Sequence, residues 1–171
     1  MNEVLSEKIE ANRIEYERLM KDDNYTDVRF NHKNGALATI HREHHFDPTV
    51  GIFGIPRGDY ERIVLNVLYD YGMAVILDSE YTEDGVKAPD GYLDGKCFEI
   101  KGIEGIGGRN VIDKISHAGS QGAESVVLYY HDANMFDLHK IVNSYKGYLK
   151  LSKTKKIKNV YYIVNKKLHK L

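Results

Sequence analysis

The chain has 171 residues, 42% of them hydrophobic and 29% charged, with a formal net charge of −1. This is an ordinary globular composition, long enough to bury a core without disulfides, and it excludes wholesale disorder and a fibrous protein. Cys97 is the only cysteine, so an intrachain disulfide is excluded and a cysteine-based zinc site disfavoured.

Residues 3–20 have Val4, Ile9, Ile14 and Leu19 as an imperfect apolar stripe, which predicts an amphipathic helix. The segment is too acidic and polar for a secretory leader, and no apolar run reaches the roughly 20 residues of a membrane helix. These features predict synthesis in a reducing cytosol. TDVRF and ALATI flank NHKNG, where Asn34-Gly35 predicts a hairpin turn. The polar cluster HREHHFD follows at 41–47, and Pro48, Gly51, Gly54, Pro56 and Gly58 then predict a loop. His41, His44, His45 and Asp47 suit zinc by type. No second cluster accompanies them, so they read as solvated or hydrogen-bonding side chains, with His45 and Asp47 as candidate phosphate contacts.

From Asp59 the periodicity is clear. Tyr60, Ile63, Val64, Val67, Leu68 and Tyr71 share a helical face that ends at Gly72. MAVIL (73–77) predicts a buried strand, and residues 78–88 a polar loop in which Lys87 reads as an ordinary loop lysine, with a phosphate contact beside Asp90 as its alternative. GYL and KCFEIK bracket Asp94-Gly95, a second hairpin signal. A glycine-rich segment (102–108) precedes a helix at about 109–121, a buried strand at 125–130, and an amphipathic helix at 134–150. IKNVYYIVN is expected to close the chain as a strand. The glycine segment lacks the Rossmann spacing and the P-loop lysine, and reads as a lip over a site.

The second hairpin carries the chemistry. With Asp94-Gly95 as the turn, Leu93 opposes Lys96, Tyr92 opposes Cys97, Gly91 opposes Phe98 and Asp90 opposes Glu99. Opposed residues share a face, and Lys101 joins Glu99 at a spacing of two. Phe98 and Ile100 point the other way. Two carboxylates at cross-strand distance repel, and a hard divalent cation relieves that repulsion. Such a cation can activate water, with lysine stabilising developing charge. A solvated salt-bridge trio is the plain alternative.

Pro89-Asp90, followed after eight residues by Glu99-Ile100-Lys101, resembles the PD-(D/E)XK nuclease superfamily, as does the predicted helix–strand–strand–strand–helix–strand order over about residues 58–131. The resemblance implies an α/β fold with a mixed sheet. It divides the chain into an N-terminal helix and hairpin (1–50) and a nuclease-like domain (51–171). It implies a metal-dependent endonuclease with Asp90 and Glu99 as metal ligands and Lys101 and Glu61 as catalytic partners. The metal is expected to be Mg²⁺, with Mn²⁺ or Zn²⁺ as alternatives. DGYLDGKCFEIKG with QGAESVVLYY is also similar to nuclease toxin domains of contact-dependent inhibition proteins and to domains of phage head-morphogenesis proteins. That implies transfer RNA or DNA as substrate, an immunity protein as a further partner, no membrane, and delivery to a target cell within a larger protein. Residues 1–50 match no part of that core.

Asn110, Lys114, His117 and Gln121 form a polar stripe on the second helix of the core. Gln121 is either a catalytic neighbour or a helix cap, and Lys114 and His117 are candidate nucleic-acid contacts. Residues 138–171 hold ten lysines and no acid, against 14 basic and 25 acidic residues in the rest of the chain. That asymmetry predicts phosphate contacts at Lys153, Lys155, Lys156 and Lys158. A non-catalytic nucleic-acid or protein-docking module, and a metal-independent barnase-like ribonuclease, are the competing functions.

Overall fold

A computed structural model describes residues 2–80, 84 and 87–171. The described residues form one eight-stranded mixed sheet with four α-helices: α1 (Glu3–Met20), β1 (Tyr25–Phe30), β2 (Leu37–His41), α2 (Gly58–Asp70), β3 (Ala74–Leu77), β4 (Gly91–Leu93), β5 (Lys96–Gly102), α3 (Asn110–Ser120), β6 (Ser125–Tyr130), α4 (Leu138–Leu151), β7 (Asn159–Val164) and β8 (Lys167–Lys170). The strands lie side by side in sequence order. Pairs β2–β3, β5–β6 and β6–β7 are parallel, and each contains one helical crossover. The other pairs are antiparallel.

Alternation along the strands splits the apolar residues into two layers. Val75, Leu77, Phe98, Ile100, Val127 and Tyr129 pack under Tyr60, Val64 and Leu68 of α2. Val126, Leu128, Tyr130 and Val160 pack under Val111 and Ile115 of α3 and Ile141 and Tyr148 of α4. Glu99 and Lys101 alternate with Phe98 and Ile100 and are nevertheless buried.

The expected helices, the two early hairpins and the core strands are all present. The register of the second hairpin is the one the turn predicts: Gly91 opposes Phe98, Tyr92 opposes Cys97 and Leu93 opposes Lys96. Asp94 and Gly95 both have positive φ, 46° and 80°, as a tight two-residue hairpin requires. Asp94 Oδ1 accepts from the Ala74 backbone N–H at 2.9 Å, locking the turn to β3. The hairpin of residues 25–41 continues the sheet through β2–β3, so segments 1–50 and 51–171 share one sheet.

Two expectations need correction. The chain does not close on a single strand, because Asn165 and Lys166, at φ 51° and 57°, turn it back into β8. The helix expected at 134–150 is a short 3₁₀ turn, Ala133–Met135, followed by α4. Asp137 caps α4, accepting from the His139 and Lys140 amides.

Candidate active site

At the start of α2 the chain is drawn in closely. A Cβ on Gly58 would sit 2.7 Å from Phe46 Cβ and 3.0 Å from the Asp47 amide nitrogen, so glycine permits the contact. The Arg62 guanidinium lies over the Phe46 ring, 3.7 Å from its centroid. This packing carries segment 44–47 against the first turn of α2, beside Glu61. On the hairpin side, Gly91 allows β4 to approach β3. A Cβ there would lie 1.8 Å from the Ile76 carbonyl oxygen.

Between these elements is a cavity of about 340 Å³ lined by side chains from α2, β5, α3 and the segments before β4 and α2. Asp90, Glu99 and Lys101 are all in it, with exposures of 3%, 1% and 9%. Their burial removes the solvated-trio alternative. Glu99 Oε2 accepts from the Asp90 backbone N–H at 3.0 Å, and Asp90 Oδ2 accepts from the Ile100 N–H at 2.6 Å. Lys101 Nζ donates to Glu99 Oε1 at 2.7 Å and to Gln121 Oε1 at 2.8 Å. Gln121 occupies the C-cap position of α3, and its side chain reaches the lysine. Burial first, then the Glu99 and Glu61 charges, push the Asp90 carboxyl well above the usual carboxylate range.

Glu61 also lines the cavity. Burial raises its pKa, and the hydrogen bond with His44 opposes that rise. Burial lowers the His44 pKa, but the bonds to Glu61 and to the Asp78 carbonyl outweigh this and leave it raised. His44 Nε2 is 2.5 Å from Glu61 Oε2 and 3.8 Å from Glu80 Oε1. The His44 side chain is wholly enclosed. His44, Glu61 and Glu80 each offer one ligand atom, all within 4.8 Å of one another, and can hold a metal ion. The expectation of a hydrogen-bonding histidine is thus met at His44, in a setting the local sequence does not reveal. His45 and Asp47 line the same cavity.

Lys87 is not a plain loop lysine. It lines the cavity, with Nζ 3.5 Å from Glu80 Oε2. Burial works against its charge, while Glu80, Glu99 and Asp90 hold its pKa above the ordinary value. Lys114 lines the opposite wall, its pKa lowered by burial and by Lys101. His117 is exposed on α3, its pKa lowered by partial burial and by Lys101. Arg57 makes a bidentate contact with Glu104, at 3.0 and 2.8 Å, and Tyr60 donates to the same carboxylate at 2.8 Å. The Arg57 hydrogen bond holds Glu104 below its ordinary pKa despite partial burial.

The lysine-rich segment lies elsewhere. Lys153 and Lys156 line a separate groove of about 500 Å³ with Arg109, Ser116 and Ser120, between α3 and the end of α4. Lys155 and Lys158 are exposed beside it. Glu80 and the Arg57–Glu104 pair are the cavity residues that sequence reasoning missed. Glu80 meets the site through tertiary packing that no local pattern encodes.

The cavity walls carry six carboxylates, from Asp47, Glu61, Glu80, Asp90, Glu99 and Glu104, against four cationic side chains, from Arg57, Lys87, Lys101 and Lys114. The formal excess is two negative charges, the deficit a divalent cation would offset. No family model, curated protein or solved structure matches the chain. Among the described residues, no helix is long and apolar enough to cross a membrane.

Proposed function

We propose that the protein is a metal-dependent nuclease of the PD-(D/E)XK type, hydrolysing phosphodiester bonds in nucleic acid through Asp90, Glu99 and Lys101. The observation that carries this reading is the enclosure of those three side chains in one cavity with two formal negative charges to spare. The helix–strand–strand–strand–helix–strand order from α2 to β6 supports the family reading.

The donor set fits a hard divalent ion, since Asp90 and Glu99 are buried oxygen donors, and burial followed by the Glu99 and Glu61 charges raises the Asp90 pKa. Such an ion, when bound, lowers the pKa of water and offsets charge on a phosphate. The chain's own residues do the positioning. Hydrogen bonds from Asp90 N–H and Ile100 N–H fix the Glu99 and Asp90 carboxylates. Glu99 and Gln121 hold the Lys101 ammonium, which is expected to donate to the attacking water or to a phosphate oxygen. In the step so catalysed, water would add to phosphorus and give up a proton to solvent while the ester P–O bond breaks and the leaving oxygen takes a proton from solvent. Lys87 and Lys114 flank the carboxylates and supply positive charge for the substrate backbone.

Purified protein incubated with supercoiled plasmid and with total transfer RNA, in Mg²⁺, Mn²⁺, Zn²⁺ or EDTA, tests the reading. Cleavage of either polymer that EDTA stops supports it. No cleavage with any metal, or cleavage indifferent to EDTA, overturns it.

A further inference from the structure

We propose a second cation position in the wall of the cavity, formed by His44 behind Glu61 and Glu80, that takes borderline transition ions of the Mn²⁺ and Zn²⁺ class in preference to Mg²⁺. It is chemically distinct from the all-oxygen pair Asp90–Glu99, and it stands whether or not the protein cleaves nucleic acid.

His44 Nδ1 lies 2.6 Å from the Asp78 carbonyl oxygen. A carbonyl only accepts, so Nδ1 carries the hydrogen. That fixes the ring and turns Nε2 towards Glu61 Oε2 at 2.5 Å and Glu80 Oε1 at 3.8 Å. Backbone support at one imidazole nitrogen is the arrangement that orients metal-bound histidines through the other. Facing two acceptor-only carboxylates, Nε2 must hold either a proton or a cation. A cation brings in both carboxylates at once, because the three ligand atoms lie within 4.8 Å of one another. The other Glu80 oxygen, Oε2, faces Lys87 Nζ at 3.5 Å, which leaves Oε1 turned towards the imidazole. The His44 side chain is 0% exposed and that of Glu80 5%, so bulk water does not solvate the cluster freely.

The donor set decides the ion. One imidazole nitrogen with two carboxylates suits Mn²⁺ and Zn²⁺, and the Irving–Williams order raises affinity further towards Zn²⁺. Mg²⁺ prefers oxygen donors with several retained waters, and Asp90 and Glu99 offer only oxygen.

Titration calorimetry with Mn²⁺ and with Mg²⁺, together with nitrogen-sensitive pulsed paramagnetic resonance on bound Mn²⁺, tests the inference. Wild-type protein is expected to bind Mn²⁺ with a resolved ¹⁴N coupling from the imidazole. His44→Gln and Glu80→Gln should each weaken Mn²⁺ binding by about tenfold or more while changing Mg²⁺ affinity less than about twofold. Asp90→Asn should invert that pattern. Circular dichroism checks that each variant is folded, and the wild-type nitrogen coupling needs no variant at all. Absence of Mn²⁺ binding, bound Mn²⁺ without nitrogen coupling, or undiminished Mn²⁺ affinity in folded His44→Gln would each overturn the inference. A protein that binds Mn²⁺ in this way yet cuts neither plasmid nor transfer RNA would retire the nuclease reading alone.

Discussion

Glu99 is tied on both oxygens, to the Asp90 amide and to Lys101, so its loss separates chemistry from fold. Glutamine keeps the shape and one acceptor oxygen but removes the charge that a cation and the lysine both use. Glu99→Gln is expected to lower cleavage on the order of 10²-fold or more, equivalent to about 2.7 kcal/mol of transition-state stabilisation. Its far-ultraviolet dichroism should match wild type. Cleavage at the wild-type rate would place the chemistry elsewhere. Asp90 gives a second test at the same scale. Its native pKa lies above the unfolded value because of burial, Glu99 and Glu61. The folded state therefore holds a proton that the unfolded state has already released. The associated stability is complete below about pH 4 and is lost as pH rises through the native value. Asp90→Asn removes that loss. In metal-free buffer, its denaturant midpoint relative to wild type is expected to be higher at pH 8 than at pH 4. A difference that stays constant across that range would contradict the burial argument.

Elements decide where these residues meet. The hairpin was legible because two signals agree: a turn that demands positive φ at Asp94-Gly95, and strict alternation in the strands. Burial of Glu99 and Lys101 was not legible, since strand alternation leaves their face open and the side chains that enclose it come from α2, α3 and the segments before α2 and β4. The contribution of His44 and Glu80 was hidden for the same reason. Each approaches Glu61 through tertiary packing, not through spacing. The missed β8 has a local cause, because Asn165-Lys166 adopts positive φ without the glycine that marks such turns. The position that couples hairpin to site is Gly91, whose backbone passes close to the Ile76 carbonyl. A methyl group there at 1.8 Å must push β4 off β3 or break the pairing of Ile76 with Tyr92. Gly91→Ala is therefore expected to cost about 1–3 kcal/mol, with a matching drop in denaturant midpoint, and to displace the neighbouring Asp90. Divalent-metal affinity should fall with it. Wild-type stability and metal affinity together would show that the hairpin tolerates the shift.

At the scale of the whole molecule, charge is distributed unevenly. The cavity is recessed and net negative, while residues 138–171 are basic without a single acid. Helix α3 stands between the two. Lys114 and Gln121 belong to its cavity side, and Ser116 and Ser120 line the groove shared with Lys153 and Lys156. Under the nuclease reading proposed above, a strand whose scissile phosphate enters the cavity would place more distant phosphates against this basic groove. Such contacts are sequence-independent and release counterions, so they set affinity and its salt dependence. Replacing Lys153, Lys155, Lys156 and Lys158 by Gln should weaken binding and reduce the slope of log affinity against log salt by about one for each phosphate contact removed. The four side chains lie outside the cavity, so single-turnover cleavage at saturating enzyme should change less than about threefold, against the loss on the order of 10²-fold expected from a cavity residue. A fluorescence-anisotropy titration of a labelled duplex and of transfer RNA at several salt concentrations measures the first effect, and quenched-flow the second. Unchanged affinity with an unchanged slope would free this surface for a different partner, and a collapse of the single-turnover rate would mean that the lysines order the cavity itself.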